Sequence, residues 1–299
     1  MEMVTRSKKK FMTYHRQKKL MGISFTLPAL FILFTFLILP VLLAFVYSLM
    51  NYNMLNPSEK FFIGLDNYIR LFQDEVFFVA LKNTLYFTAL VVPLQCAVAL
   101  GLALLVSKNV KVAPIGRIFF FSPVITSMVV VAILWTFLYN VNDGLINSLL
   151  NFVGIPNQPF LLSPDQAMNS IIFMSIWQAA GFQMMIFIAG LKEVPNTLYE
   201  AAEIDGANAW QKFLNVTMPS IHHVTGFVLI VTTIQAFRLF IQPYVMTNGG
   251  PSESTKTLVF MLYENGFQFR DVGYSSAISV VFFIVVIITS LTLKKVLKQ

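Results

Sequence analysis

The sequence predicts an all-α polytopic membrane protein with six transmembrane helices, and three observations carry that prediction. Of 299 residues, 57% are hydrophobic and only 12% charged, about half the usual charged fraction of roughly 25%. Apolar runs of the roughly 20 residues that a helix needs to cross a hydrocarbon core about 30 Å thick recur along the chain. Every Asp, Glu, Lys and Arg except Arg238 falls between those runs. A water-soluble fold of this size would lack charged surface.

The first span lies in 22–50. A basic stretch precedes it, as in a signal peptide, but the apolar run is far longer than an h-region of about 7–15 residues and no small-x-small cleavage site follows. It is therefore read as a retained helix. The second span lies in 83–107, the third in 118–139, the fourth in 167–191, the fifth in about 224–246 and the sixth in 273–293. Pro28, Pro40, Pro93 and Pro123 sit in or near spans, where neighbouring helices re-satisfy the freed backbone groups, so kinks are expected. The organisation that follows is a basic tail over 1–21, the first helix over 22–50, an extracytoplasmic loop over 51–82, a five-helix core over 83–293 and a short tail over 294–299.

Lys and Arg set the orientation, because they favour the cytoplasmic side in short loops. With the N-terminus inside, the inner segments carry Arg6, Lys8, Lys9, Lys10, Arg16, Lys18 and Lys19, then Lys108, Lys111, Arg117, Lys192, Lys212, Lys294, Lys295 and Lys298. The outer segments carry only Lys60, Arg70, Lys82, Lys256 and Arg270, and 140–166 carries none. Both termini are expected to be cytoplasmic. The net charge of +7 is thus an end effect. Nucleic-acid binding, which needs a basic face across a folded surface, is not expected.

Several chemistries are also excluded. No G-x-x-x-x-G-K-[ST] occurs, so ATP must be handled by another subunit. Cys96 is the single cysteine, which permits no intrachain disulfide, CxxC pair or thiolate zinc cluster. His15 lies in the basic tail, and His222 and His223 are helix neighbours whose side chains are expected to diverge by about 100°, a poor metal site. The fourteen acidic residues all lie in tails and loops, against an intramembrane hydrolase or a proton relay. No catalytic, metal or cofactor residue is therefore expected on this chain. A self-contained secondary transporter or channel for a small polar solute stands as the alternative, weakened because no inverted pair of three-helix halves is visible.

The inner loop 195–219 is the most informative segment. Asn196 or Thr197 is placed to cap a short helix over 198–204. Asp205-Gly206 breaks it, and a second helix over 207–216 aligns Trp210, Phe213 and Leu214 on one apolar face before Pro219 stops it. Aromatic residues on one face and Glu200 and Glu203 on another suit docking to a protein. A lipid surface suits less well, since anionic headgroups repel the acidic residues.

At this loop the sequence resembles a known family. Glu200-Ala201-Ala202, then Gly206, then Val216, Met218 and Pro219 resemble the EAA loop of the membrane subunits of binding-protein-dependent ABC importers, with Val and Met in place of the usual Ile and Leu. Gly64-Leu65-Asp66-Asn67-Tyr68 with Asn83-Thr84, and Thr247-Asn248-Gly249-Gly250-Pro251 with Gly273-Tyr274-Ser275-Ser276-Ala277, are similar to segments of the carbohydrate, MalF-type branch. The resemblance runs from about residue 25 to 293. It implies the type I ABC importer permease fold, a second homologous permease as partner, two ABC ATPase subunits carrying Mg-ATP, and an extracytoplasmic sugar-binding protein. It also implies that Glu200, Ala201, Ala202, Asp205, Gly206, Trp210, Phe213 and Pro219 couple to the ATPase.

Polar residues inside spans are costly unless they face a cavity or a partner, so the solute path is sought there. Span four offers Trp177, Gln178, Gly181 and Gln183, and span five offers Thr232, Thr233, Gln235 and Arg238. Trp177 and Gly181 share a face at i, i+4, and Gln235 and Arg238 share one at i, i+3. The resemblance adds weight, because sugar contacts of the MalF-type subunit come from the corresponding spans. Helix packing remains the other reading for each, and Arg238, close to the outer end, is also placed to snorkel.

Overall fold

The computed structural model describes residues 2–107 and 113–296, with side chains from residue 14 onward except at 15, 17, 20, 113 and 296. Lys108, Lys111, Lys298 and the side chains of Arg6, Lys8, Lys9, Lys10 and His15 lie outside what is described. Helix α1, Glu2–Leu33, passes through a π-helical turn, Phe34–Ile38, into α2, Leu39–Tyr47. The basic tail is thus helical and continuous with the helix of the first span. The widened turn precedes Pro40, which has no N–H to give to the carbonyl of Phe36. The most apolar stretch within Met21–Tyr47 buries no residue. The first span lies against the body only near its end, where Phe45 meets Phe283 edge-on at 6.4 Å.

A short hairpin follows, β1 (Met50–Asn51) antiparallel to β2 (Phe61–Phe62), with Met50 opposite Phe62 and Asn51 opposite Phe61. Then come α3 (Asp66–Gln73), α4 (Glu75–Ser107), α5 (Ala113–Ile125), α6 (Met128–Leu138), α7 (Leu145–Phe152) and α8 (Pro164–Glu193). The inner loop folds as α9 (Asn196–Ile204) and α10 (Ala209–Lys212), a π turn over Phe213–Thr217, and α11 (Met218–Ser220). The chain ends with α12 (His222–Phe237), α13 (Ile241–Met246), α14 (Leu258–Tyr263), a π turn over Glu264–Gln268, and α15 (Val272–Val296).

Five helical segments are long and apolar enough to cross a membrane, and α5 and α6, bent by 97° at their junction, make a sixth when the pair is counted as one span. That bend corrects the expectation of one continuous third span over 118–139. The second span also begins earlier than hydropathy indicates, at Glu75, and the fifth is interrupted between Phe237 and Ile241. Helix α8 is the centre of the bundle, with Met174, Met184 and Phe187 fully buried. Ala99 and Ala103 of α4 and Ala180 of α8 share one core cluster, and such small residues let helices approach closely.

Segments 51–82 and 247–272 form one cap at one end of the bundle. The Asn67 amide donates to the carbonyls of Ser48 and Met50 at 2.9 and 3.0 Å, while Gly64 takes φ +64° at the turn before α3. Gly273 lies against the hairpin so closely that a Cβ would come within 2.3 Å of the Met50 carbonyl. Arg70 pairs with Asp271 at 2.8 Å, and Tyr274 donates to Asp74 at 2.6 Å. The motif segments 64–68, 83–84, 247–251 and 273–277 therefore belong to one contiguous structure at one end of the bundle.

Candidate functional site

Two regions stand out, a cavity partly open to the surface and the loop 195–219, and α8 and α12 run from one to the other. The cavity, of about 350 Å³, lies where two helices break. At the α5–α6 bend, Pro123 cannot bond the Phe119 carbonyl, which accepts instead from the Ser122 hydroxyl at 3.0 Å. The Pro123 carbonyl in turn receives Gln178 Nε2 at 3.3 Å and the Thr126 N–H at 3.3 Å. At the second break, Pro243 leaves the Leu239 carbonyl without its helical donor, and the Thr257 hydroxyl supplies one at 2.7 Å. Backbone breaks at membrane depth are tolerated where protein or a cavity meets the freed groups, and both breaks border the same space: Val124, Met128, Arg238, Leu239 and Gln242 line it.

Of the residues that sequence reading nominated, Gln178, Thr232, Gln235 and Arg238 converge on this cavity. Gln183, buried beside it, reaches Thr232 Oγ1 at 3.3 Å and Gln235 Oε1 at 3.4 Å, long contacts that tie α8 to α12. Trp177 and Gly181 do not join them, and they do not share one environment. Trp177 is half-exposed and tilted against Trp135 at 5.4 Å. Gly181 faces α5, where a Cβ would stand 2.2 Å from the Phe120 carbonyl. Both residues lie on α8 one turn apart, but they meet different neighbours.

Sequence reading missed Gln95, Ser175 and Gln242, which also line the cavity. Gln95 carried a usable signal, since an amide in an otherwise apolar span is open to the same cost argument as Gln178. With Phe87 and Phe182 on the walls, the cavity offers amides, the hydroxyl-bearing Ser175 and Thr232, and aromatic faces, which suit a polyhydroxylated solute with apolar C–H patches.

The inner loop is a braced unit. Helix α9 starts at Pro195 with no side-chain cap, so Asn196 and Thr197 do not cap it as expected. It ends in a Schellman arrangement: Ala207 N–H bonds the Ala202 carbonyl at 2.8 Å and Gly206 N–H bonds that of Glu203 at 3.0 Å, with Gly206 at φ +77°. Asn208 and Gln211 then form a reciprocal capping box at 2.8 and 2.9 Å, legible in the sequence as Asn-x-x-Gln but missed. The expected helix over 207–216 is only the single turn of α10 before the π turn. Pro219 does not stop it; it sits in the first turn of α11, where its missing N–H is harmless.

Lys212 Nζ closes on Glu203 Oε1 at 2.7 Å, and that hydrogen bond and charge hold the Glu203 carboxyl below its ordinary pKa. Tyr199 and Thr217 join hydroxyls at 3.0 Å. Trp210 stacks on Phe213 at 5.4 Å and stays 66% exposed, with Ile204 at 87%. A soluble surface rarely leaves such side chains open together. Glu200, Ala201, Asp205 and Pro219 are exposed beside them, while Ala202 and Phe213 are half-buried. The rings of His222 and His223, expected to diverge, lie with centroids 3.6 Å apart. Among the described residues no group of three or more metal-ligating side chains assembles.

The family model for the binding-protein-dependent transport system inner membrane component matches residues 77–299. The chain belongs to this family. The permease is similar, at 38% identity over 94% of its length and 97% of the relative's, to the "Probable ABC transporter permease protein YurN" of Bacillus subtilis (strain 168). It is 33% identical, over 94% of this chain and 95% of the other, to the trehalose/maltose transport system permease protein MalF of Thermococcus litoralis. Its fold matches a chain in the crystal structure of a bacterial ABC transporter involved in the import of the acidic polysaccharide alginate, with a TM-score of 0.83 at 22% identity over 96% of this chain and 98% of that one. The permease is an inner-membrane component and is not itself the catalytic subunit. The matched residues include both the cavity and the inner loop.

Proposed function

We propose that this permease forms half of the translocation pathway of an ATP-driven sugar importer. A second homologous permease supplies the other half, an extracytoplasmic sugar-binding protein delivers the solute, and two ABC ATPase subunits bind and hydrolyse Mg-ATP; this chain holds no cofactor. The relatives' names support sugar as the cargo, and the family description supports delivery by a binding protein.

One observation carries the coupling role. The braced inner loop joins α8 directly to α12, and both helices line the cavity. A push on the loop is therefore transmitted to the walls of the solute site, as alternating access requires. In this reading Trp210 and Phe213 are the apolar anchors in the ATPase and Glu200 is the charged contact, with Ala201, Ala202 and Asp205 on the docking surface. Gly206 holds the turn, and Pro219 sets the return into α12.

Gly206→Val tests this, because a branched residue at φ +77° forces the Schellman turn open. Uptake is expected to be abolished while membrane insertion and pairing with the second permease persist. Glu200→Lys probes the same surface without touching the backbone. ATPase co-purification and sugar uptake are measured side by side. If both variants keep ATPase binding and full uptake, the loop is not the coupling element.

A further inference from the structure

We infer that the cavity recognises a sugar bearing an acidic group, with Arg238 as the residue that reads the charge. This rests on the proposed sugar-import function and narrows its substrate class. Arg238 is the sole charged residue lining the cavity, among glutamines, a serine, a threonine and apolar walls. Among the described residues, the ion pairs join Arg70 to Asp271, Lys212 to Glu203, and Lys256 to Glu253 and Glu264. None of them engages Arg238. An ionisable side chain placed in a span without a carboxylate partner marks a functional site by default.

Two further features favour an anion at the same place. Helix α6 begins at Met128 on the cavity wall, and Ser127 offers no side-chain cap, so the positive end of that helix and its first N–H groups, which have no intrahelical acceptor, face this region. Ser175, 5% exposed and also on the cavity wall, has a hydroxyl with no hydrogen-bond partner. A carboxylate accepts from a guanidinium, a hydroxyl and backbone N–H groups, and it presents no donor that would need the absent acidic residues. A neutral sugar satisfies the glutamines but brings no counter-charge to the guanidinium, which is exposed at the cavity.

The test uses the whole complex, reconstituted with its ATPase and binding protein, and measures uptake of matched oligosaccharide pairs. Oligomers of galacturonate, glucuronate and mannuronate are each compared with their methyl esters, which keep the framework and remove the charge. The expected result is uptake of at least one acidic form at least about tenfold above its ester, from a charge-assisted contact. Arg238→Gln should erase that preference, and Arg238→Lys should restore part of it. Uptake of neutral sugars alone, with Arg238→Gln unchanged in its selectivity, overturns the inference and leaves sugar import standing; Arg238 then serves only the negative C-terminus of α12. Failure to move any saccharide, charged or neutral, removes both readings.

Discussion

The Leu258 backbone N–H donates to Thr84 Oγ1 at 3.0 Å although the two residues stand 174 positions apart. Both are buried, and the Thr84 hydroxyl passes its own hydrogen to the Ala80 carbonyl at 2.7 Å. One residue earlier, the Asn83 amide holds the carbonyls of Glu253 and Lys256 at 2.8 and 2.9 Å. Asn83 and Thr84 thus fasten the whole 247–257 loop to the second span. Lys256 strengthens the same fastening. Burial opposes its charge, but hydrogen bonds to Glu264 and Glu253 outweigh that and raise its pKa.

Thr84→Val isolates this bond, because valine keeps the shape and loses the acceptor. The Leu258 N–H belongs to the first turn of α14, where no helical partner exists. Leaving a buried donor unpaired costs about 1–3 kcal/mol. A lower melting temperature of the purified complex is expected, with transport per folded molecule retained. An unaltered melting curve would mean that water replaces the hydroxyl.

Gly181 yields a second prediction, from contact and not from conformation. A Cβ there would meet the Phe120 carbonyl oxygen at 2.2 Å and the Phe121 Cα at 3.0 Å, so α5 and α8 must separate to admit any side chain. Gly181→Val should destabilise the complex by more than the roughly 1–3 kcal/mol typical of overpacking, read as lost yield and early unfolding. Trp177→Ala, one turn away on an exposed position, should not. Equal stability of the two variants would contradict the close approach of α5 to α8.

These contrasts show what was legible in the sequence. Span number and order were, because lipid demands long apolar helices and charge marks the gaps. The break before Asn208 was also legible, since Asp205-Gly206 has few alternatives to a helix end. The 97° bend at Ile125–Met128 was not: its flanks are uniformly apolar, and it is stabilised by Ser122 and Gln178 at carbonyls that only the fold identifies. Helix periodicity likewise put Trp177 and Gly181 on one face, but which neighbour each meets depends on packing. The start of α4 at Glu75 escaped hydropathy because its first turns carry Glu75 and Lys82 outside the apolar run.

Orientation is testable by labelling. The basic-residue bias puts 140–166 outside and 195–219 inside. Asn151 and Asn208 are both exposed, so Asn151→Cys and Asn208→Cys, each in a Cys96→Ala background, should react with an impermeant thiol reagent from opposite faces. Asn151→Cys should label in intact cells and Asn208→Cys only in inverted vesicles. Labelling of both from one face would break the six-crossing topology.

The last prediction separates cavity from surface within the nominated residues. Gln235 lines the cavity and touches Gln183 at 3.4 Å, whereas Trp177 packs against Trp135 outside it. If solute passes through the cavity, Gln235→Leu removes a donor and an acceptor at the path while keeping similar bulk. Each lost hydrogen bond is worth about 0.5–1.5 kcal/mol, or roughly two- to tenfold in apparent affinity or rate. Gln95→Leu, on the opposite helix, should act in the same direction. Trp177→Ala should leave uptake near that of the unaltered permease, since the ring it loses is not part of the cavity wall. Uptake kinetics in proteoliposomes decide the matter, with complex yield measured to exclude misassembly. If Trp177→Ala impairs transport and the two glutamine variants do not, solute follows the surface between α6 and α8, and the cavity at the helix breaks is a packing defect.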